Sequence, residues 1–282
     1  MRQTLRRAIG AFGVIHWAAL ATIVLVLAFS LLAEQLTEVS PVTQSPGGRF
    51  LPVGTDGHPF GTDQYGRDIF VRLLYGARIE LLIAVTATLG ALVLGTGIGL
   101  LGGYFGGIVG SLTMRSMDVL MTIPPLILAL FVVTLYGPGS VTLTVAMTLI
   151  FLPAFARIVY GQTLSVREKE FVESDRLYGA STLRILWKTV LPNISAPIIV
   201  QFTLVIAGAI LLESGLSYLG LGVVPPAPSW GSMVAEASRF MPTNPSVLMF
   251  PALTVVLMIL AFSILGDGLR RSFDPRNGVQ HD

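Results

Sequence analysis

Glu170-Phe171-Val172-Glu173-Ser174-Asp175-Arg176-Leu177-Tyr178-Gly179-Ala180-Ser181, running on to Val190-Leu191-Pro192-Asn193, is a charged, helix-forming stretch in a chain that otherwise avoids charge. Apolar segments of membrane length flank it, so it must lie in water on one side of a bilayer. Gly179 lets its two halves turn sharply against each other. A water-exposed loop of this kind predicts a soluble partner that docks on it. It points to a subunit of a larger machine rather than a self-contained channel or carrier.

Composition fixes the setting. The 282 residues are 53% hydrophobic and 12% charged, with a mean hydropathy of +0.75. Soluble domains carry about 25% charged residues. The 30 Gly and 9 Met suit membrane helices, where small side chains let backbones approach. A net charge of +2 is too slight to call for nucleic acid. There is no cysteine, which excludes disulfides and thiolate metal sites. The expected class is an all-α polytopic membrane protein.

A bilayer needs about 20 mostly apolar residues per helix. Six candidate spans follow: Ala8–Ala33, Ile79–Tyr104, Met117–Tyr136, Val141–Tyr160, Ala196–Leu221 and Val247–Leu269. The first is too long for the apolar core of a signal peptide. Basic residues set the orientation. With the N-terminus inside, only Arg49, Arg67, Arg72, Arg78 and Arg239 of the 18 Lys and Arg lie outside. Both termini are therefore expected in the cytoplasm.

Two outer segments are long. Glu34–Ala77 starts as Pro- and Gly-rich coil and ends in Ile69-Phe70-Val71-Arg72-Leu73-Leu74-Tyr75, which reads as an interfacial helix. Val223–Ser246 holds Pro228-Ser229-Trp230-Gly231, read as a stiff turn with an aromatic at interface depth. Both either anchor helices at the surface or receive something there. Within the second span, Ala87, Ala91, Gly95, Gly99, Gly103 and Gly107 recur every four residues. That face suits close helix packing, against a neighbour in the same chain or a second transmembrane subunit. Pro124-Pro125 and Pro153 are expected to kink the third and fourth spans.

Glu213 is the acidic residue set deepest in a span. Charge at that depth faces a bundle interior or a water-filled cavity. Either it serves a pathway or gate with Ser214 and Ser217, or it is a structural carboxyl hydrogen-bonded to them. The loop's second half presents Leu183, Leu186, Trp187 and Val190 at helical spacing, with Arg184 and Lys188 on another face. Its first half is acidic, with Glu168, Glu170, Glu173 and Asp175, which disfavours lying on an anionic leaflet. Gly179-Ala180-Ser181 joins the halves, with Ser181 the expected cap. No catalytic residue and no metal site is predicted: His16, His58 and His281 are scattered, and no phosphate-binding Gly-Lys-Ser/Thr loop exists.

The loop resembles the EAA signature of binding-protein-dependent ABC importer permeases. That signature runs Glu-Ala-Ala, three residues, Gly, nine residues, Ile, one residue, Leu-Pro. Glu173, Gly179 and Leu191-Pro192 match in spacing; Ser174-Asp175 replace the Ala pair and Thr189 stands where Ile is usual. Further stretches resemble dipeptide and oligopeptide permeases of the C-subunit type. They are Gly61-Thr62-Asp63 with Gly66-Arg67-Asp68, Tyr75-Gly76-Ala77-Arg78, Met114-Arg115-Ser116-Met117-Asp118 with Pro124, Glu213 to Gly222, Pro228 to Gly231, and Asp267 to Arg270 with Asp274-Pro275.

The resemblance implies a type I importer permease fold with six transmembrane helices in the plasma (inner) membrane. It implies a heterodimer with a homologous permease subunit, two cytoplasmic ATPase domains below, and an extracytoplasmic solute-binding protein. ATP and Mg would then be bound by the partner ATPases, with no cofactor in this chain. The coupling loop (162–195) would dock the ATPase through Glu170, Glu173, Asp175, Arg176, Gly179, Ala180, Ser181, Leu183, Arg184, Trp187, Leu191 and Pro192. Residues 1–60 would hold the cytoplasmic tail, the first helix and the start of the outer loop; 61–276 the permease core; and 277–282 a cytoplasmic tail. Dipeptides and oligopeptides lead as cargo, with nickel, glutathione and haem also carried by permeases of this pattern. An ion-coupled carrier or channel, and a membrane-anchored scaffold or sensor, are the competing readings.

Overall fold

The computed structural model describes residues 12–273. Arg2, Arg6, Arg7, the start of the first predicted span, Asp274-Pro275, Arg276, His281 and the tail 277–282 lie outside the described residues. The described chain is helical, with isolated bridges only at Thr55–His58 and Thr62–Asp68.

Its helices are α1 (Val14–Leu31), α2 (Ile69–Phe105), α3 (Gly107–Thr122), α4 (Pro125–Tyr136), α5 (Ser140–Arg167) and α6 (Glu170–Leu177). A helical run over residues 182–193 forms α7, followed by α8 (Ser195–Tyr218), α9 (Trp230–Ser238) and α10 (Pro245–Phe273). Five of these are long and apolar enough to cross a bilayer, six if α3 and α4 count as one broken span. The third predicted span, Met117–Tyr136, is thereby corrected. α3 and α4 meet at 87° rather than as one kinked helix. Pro124 and Pro125 remove two consecutive amide donors, and Ile123 and Pro124 are extended. Pro153, by contrast, sits buried inside an uninterrupted α5.

α2 is also longer than expected. Its 37 residues span about 55 Å at 1.5 Å per residue, well beyond a hydrocarbon core of about 30 Å. The stretch read as a separate interfacial helix is its first two turns, and Ile69, Val71, Arg72, Leu73 and Leu74 are buried there. Asp68 starts the helix, its Oδ1 accepting from the Val71 amide at 2.8 Å.

α2 lies along α5, α8 along α10, and α1 beside α10 and α2. The α2–α5 seam is set by glycine. A Cβ on Gly95 would fall 2.7 Å from the Phe155 Cβ, and one on Gly99 would fall 2.6 Å from the Ala156 carbonyl oxygen. On Gly103 it would meet the Thr163 Cβ at 2.7 Å. The close approach is thus within this chain. Gly107, the last of the four-residue series, lies past the helix break and starts α3.

The molecule has two ends. One holds the 168–193 loop. The other is a cap made of residues 37–68, the start of α2, and α9. Trp230 is fully buried in this cap rather than at an interface, its Nε1 donating to the Leu73 carbonyl at 3.2 Å. Ser229 caps α9, its Oγ accepting from the Ser232 amide at 3.2 Å.

Candidate functional site

Glu170 and Glu173 fall in the first turn of α6 and Arg176 in its last, which suits the helix dipole. The helix then closes in two backbone bonds: Gly179 N–H donates to the Arg176 carbonyl and Ala180 N–H to that of Asp175, both at 3.0 Å. This closure needs a left-handed residue at 179, and Gly179 supplies φ 77°. A Cβ there would meet nothing within 4 Å, so the turn demands glycine for its backbone and not for room.

α7 begins after Ser181, which has the extended backbone of a cap but makes no side-chain capping bond, contrary to expectation. One α turn (Thr182–Ile185) passes into a π-helical stretch (Leu186–Val190) before Leu191–Asn193. Pro192 offers no amide to the Lys188 carbonyl, and the ladder widens ahead of it.

The expected apolar stripe divides in two. Val172, Ile185, Leu186, Val190 and Ile194 are buried against Leu100, Val159 and Ile198, sealing the loop to the bundle. Leu183 and Trp187 instead point to solvent, Trp187 being 62% exposed, and so do Leu177 and Tyr178 at the turn. The inward face is carried by 185, 186, 190 and 194 because the π turn shifts the register. Arg184, Pro192 and Ser181 are exposed; Asp175, Ala180 and Leu191 are half-buried.

Polar contacts fix the loop to the helices above it. Arg176 Nε donates to the Tyr104 hydroxyl at 3.2 Å and its guanidinium lies 4.8 Å from that ring's centre. Arg167 Nη1 donates to the Gly103 carbonyl at 3.0 Å, closing the end of α2. Thr189 Oγ1 donates to Asp175 Oδ2 at 2.5 Å, so two of the three positions that depart from the signature are bonded to each other.

Glu213 is fully buried inside the bundle. It accepts from Ser217 Oγ at 2.7 Å. Its partner across the helices is Glu80 on α2, also fully buried, which accepts from Ser214 Oγ at 2.9 Å. The two carboxyls lie within hydrogen-bonding reach, with the Trp230 backbone beside Glu80. Apart from that mutual contact, the Oε2 of each has no partner among the described residues.

The cap is tied by a buried ionic network. Asp63 accepts from the Tyr65 and Arg67 amides at 2.8 and 3.0 Å and from Arg67 Nε at 2.6 Å. Arg67 Nη2 also pairs with Glu236 on α9. Arg72 lies 3.7 Å from Asp63 and 3.8 Å from Glu236 and donates to the Pro41 carbonyl at 3.2 Å. Among the described residues, no group of three or more His, Asp or Glu is placed to hold a metal ion.

The sequence over residues 95–279 matches the family described as binding-protein-dependent transport system inner membrane component. The chain belongs to this family. It is 37% identical over 261 residues to the dipeptide transport system permease protein DppC of Alkalihalophilus pseudofirmus, covering 92% of this chain and 86% of that protein. It is 38% identical over 254 residues to the glutathione transport system permease protein GsiD of Pectobacterium atrosepticum, covering 90% and 84%. A chain of the inward-facing MetNI methionine ABC transporter shares the fold, with a TM-score of 0.59 and 19% identity over 72% of this chain and 97% of that one. The protein is thus a multi-pass permease of the ABC importer class with a type I fold, and the readings as an ion-coupled carrier, channel or scaffold fall away.

For a permease of this family, three residues of the geometry were missed in sequence. Glu80 stood one position inside the predicted second span. Arg72 looked interfacial, and Glu236 lay 169 positions from its partner Arg67.

Proposed function

We propose that this chain is the membrane-spanning permease subunit of an ATP-driven importer for dipeptides or oligopeptides. It pairs with a homologous permease, receives cargo from a solute-binding protein at the cap, and couples to two ATPase domains at the loop. ATP and Mg belong to those ATPases, and this chain carries no catalytic residue. The basic loop side is cytoplasmic and the cap is outside.

One observation carries this reading. The 170–193 loop seals one face to the bundle while leaving Leu177, Tyr178, Leu183 and Trp187 in solvent. Large apolar side chains displayed together on a short, well-held hairpin suit a groove on a soluble partner. Glu173, Arg176 and Arg184 surround them with charge. Gly95, Gly99 and Gly103 hold α2 to α5, carrying motion at the loop into the span. Glu213, Ser214 and Ser217, through Glu80, hold α8 to α2 near the cap and act in the outer gate by fixing helices.

The absence of native cysteine makes the test direct. Single cysteines at Ser181 and Thr182, in the assembled transporter in vesicles, are expected to cross-link to the ATPase, and Trp187→Ala to abolish ATP-dependent peptide uptake without lowering the subunit's yield. Free labelling of both cysteines with no cross-link would remove the loop from coupling.

A further inference from the structure

Beside the loop, α5, α8 and α10 leave an open cavity of about 470 Å³ between them. Arg270, exposed in the last turn of α10, lines it. So do Gln162 of α5 and Gln201 of α8, while Ile158, Val200 and Leu204 give it an apolar wall. No carboxylate lines the cavity, so the charge it presents is positive.

The lining is graded along the helices. α5 ends at Arg167 and α8 starts at Ser195, and these are the two roots of the loop. At 1.5 Å per residue, Gln162 and Gln201 lie about 8 and 9 Å along their helices from those roots, and Ile158 and Leu204 about 14 Å. Arg270 lies about 5 Å of helix before Phe273, the last residue of α10. The cation and both amides are therefore nearer the loop, and the wall further into the bundle is hydrocarbon.

This grading matches an anionic amphiphile, charged at one end and apolar beyond. A zwitterionic peptide would find no carboxylate for its ammonium group. A helix of another subunit seats best on small side chains, whereas Ile158, Val200 and Leu204 are branched and enclose a hollow. We propose that the cavity holds an anionic phospholipid, with its phosphate on Arg270 and an acyl chain against Ile158, Val200 and Leu204. A guanidinium grips phosphate through paired N–H donors, and the Gln162 and Gln201 amides can donate to the remaining headgroup oxygens. Basic hollows between membrane helices on the cytoplasmic side take anionic headgroups in this way. Because α5 and α8 are the roots of the loop, a lipid that ties both to α10 fixes the spacing at which the loop is held. The inference rests on the chain crossing a membrane, and on neither the cargo nor the importer reading.

The test titrates the purified, delipidated complex with phosphatidylglycerol or phosphatidylcholine in detergent and counts bound lipid by native mass spectrometry. Phosphatidylglycerol is expected to bind once per copy of this subunit and more tightly than phosphatidylcholine. Arg270→Gln is expected to weaken that binding about tenfold. Ala196→Phe, which fills the cavity and leaves Arg270 in place, is expected to weaken it as well. Arg115→Gln removes an exposed cation outside the cavity and is expected to leave it unchanged. Equal binding by all three variants and the wild type would overturn the site, and phosphatidylcholine bound as tightly would overturn the anionic class. A single cysteine at Val200 that cross-links to another subunit of the assembled transporter would put protein in the cavity and overturn the lipid.

Discussion

The cap and the loop stand at opposite ends of the same helices and solve opposite problems. In the cap, charges are buried: Arg67 and Arg72 are almost without solvent, each facing Asp63 and Glu236. In the loop, apolar groups are exposed: Leu183 and Trp187 stand outward although Leu186 and Val190 beside them are sealed. A chain that satisfies buried charge from its own residues has finished that end. A chain that leaves a tryptophan in water has left the other end to a partner. The difference separates residues that set the subunit's stability from those that set its association.

The largest effect is expected where that division is most severe. Arg67→Met leaves the buried Asp63 and the half-buried Glu236 with half their pairing gone. Removing one partner of a buried pair costs about 3–5 kcal/mol. The subunit is expected to lose yield and thermal stability, measured by tryptophan fluorescence of the purified complex in detergent, since Trp230 reports on the cap. The same measurement on Trp187→Ala is expected to show wild-type stability. Equal losses from the two variants would erase the distinction between the ends.

A middle-sized effect tests the seam that joins them. Gly99→Ala puts a methyl group 2.6 Å from the Ala156 carbonyl oxygen, so α2 and α5 must separate. Overpacking of this kind costs about 1–3 kcal/mol. At Gly97, two positions along the same helix, a methyl group would meet nothing within 4 Å. Gly97→Ala is expected to be neutral or to gain up to about 1 kcal/mol from helix propensity. Thermal melts of both variants in the same detergent separate packing from propensity, and a loss at Gly97 as large as that at Gly99 would refute the seam.

Much of this architecture was legible in the residues because hydropathy and glycine spacing are local signals. The long apolar runs gave the spans, and Gly179 gave the turn between two short helices. What the residues hid was long-range or register-dependent. The 87° break at Pro124-Pro125 was legible as a kink, but its size depends on what the freed carbonyls meet. The apolar stripe of α7 follows an α-helical period in the sequence, and a π turn rotates Trp187 into solvent. Glu213 stands out by its depth, but its partner Glu80 lies 133 positions earlier on another helix, beyond any local pattern. The Asp63–Glu236 network joins segments whose sequence separation hides them in the same way.

The smallest effect concerns two of the three positions at which the loop departs from the signature. Asp175 stands where alanine is usual and Thr189 where isoleucine is usual, and the Thr189 hydroxyl donates to the Asp175 carboxylate at 2.5 Å. Each departure alone would leave a half-buried polar group without its partner. Thr189→Ile is therefore expected to destabilise the loop by about 1 kcal/mol, as is Asp175→Ala. Replacing both partners by apolar groups restores a consistent pair, so the double variant is expected to approach the wild type rather than sum the two losses. Hydrogen exchange of the α7 amides measures this directly, because the contact spans the Gly179 turn and holds α7 against α6. Additive losses in the double variant would mean that the two departures are independent, and that the hairpin owes its stability to the buried Val172, Ile185 and Val190 alone.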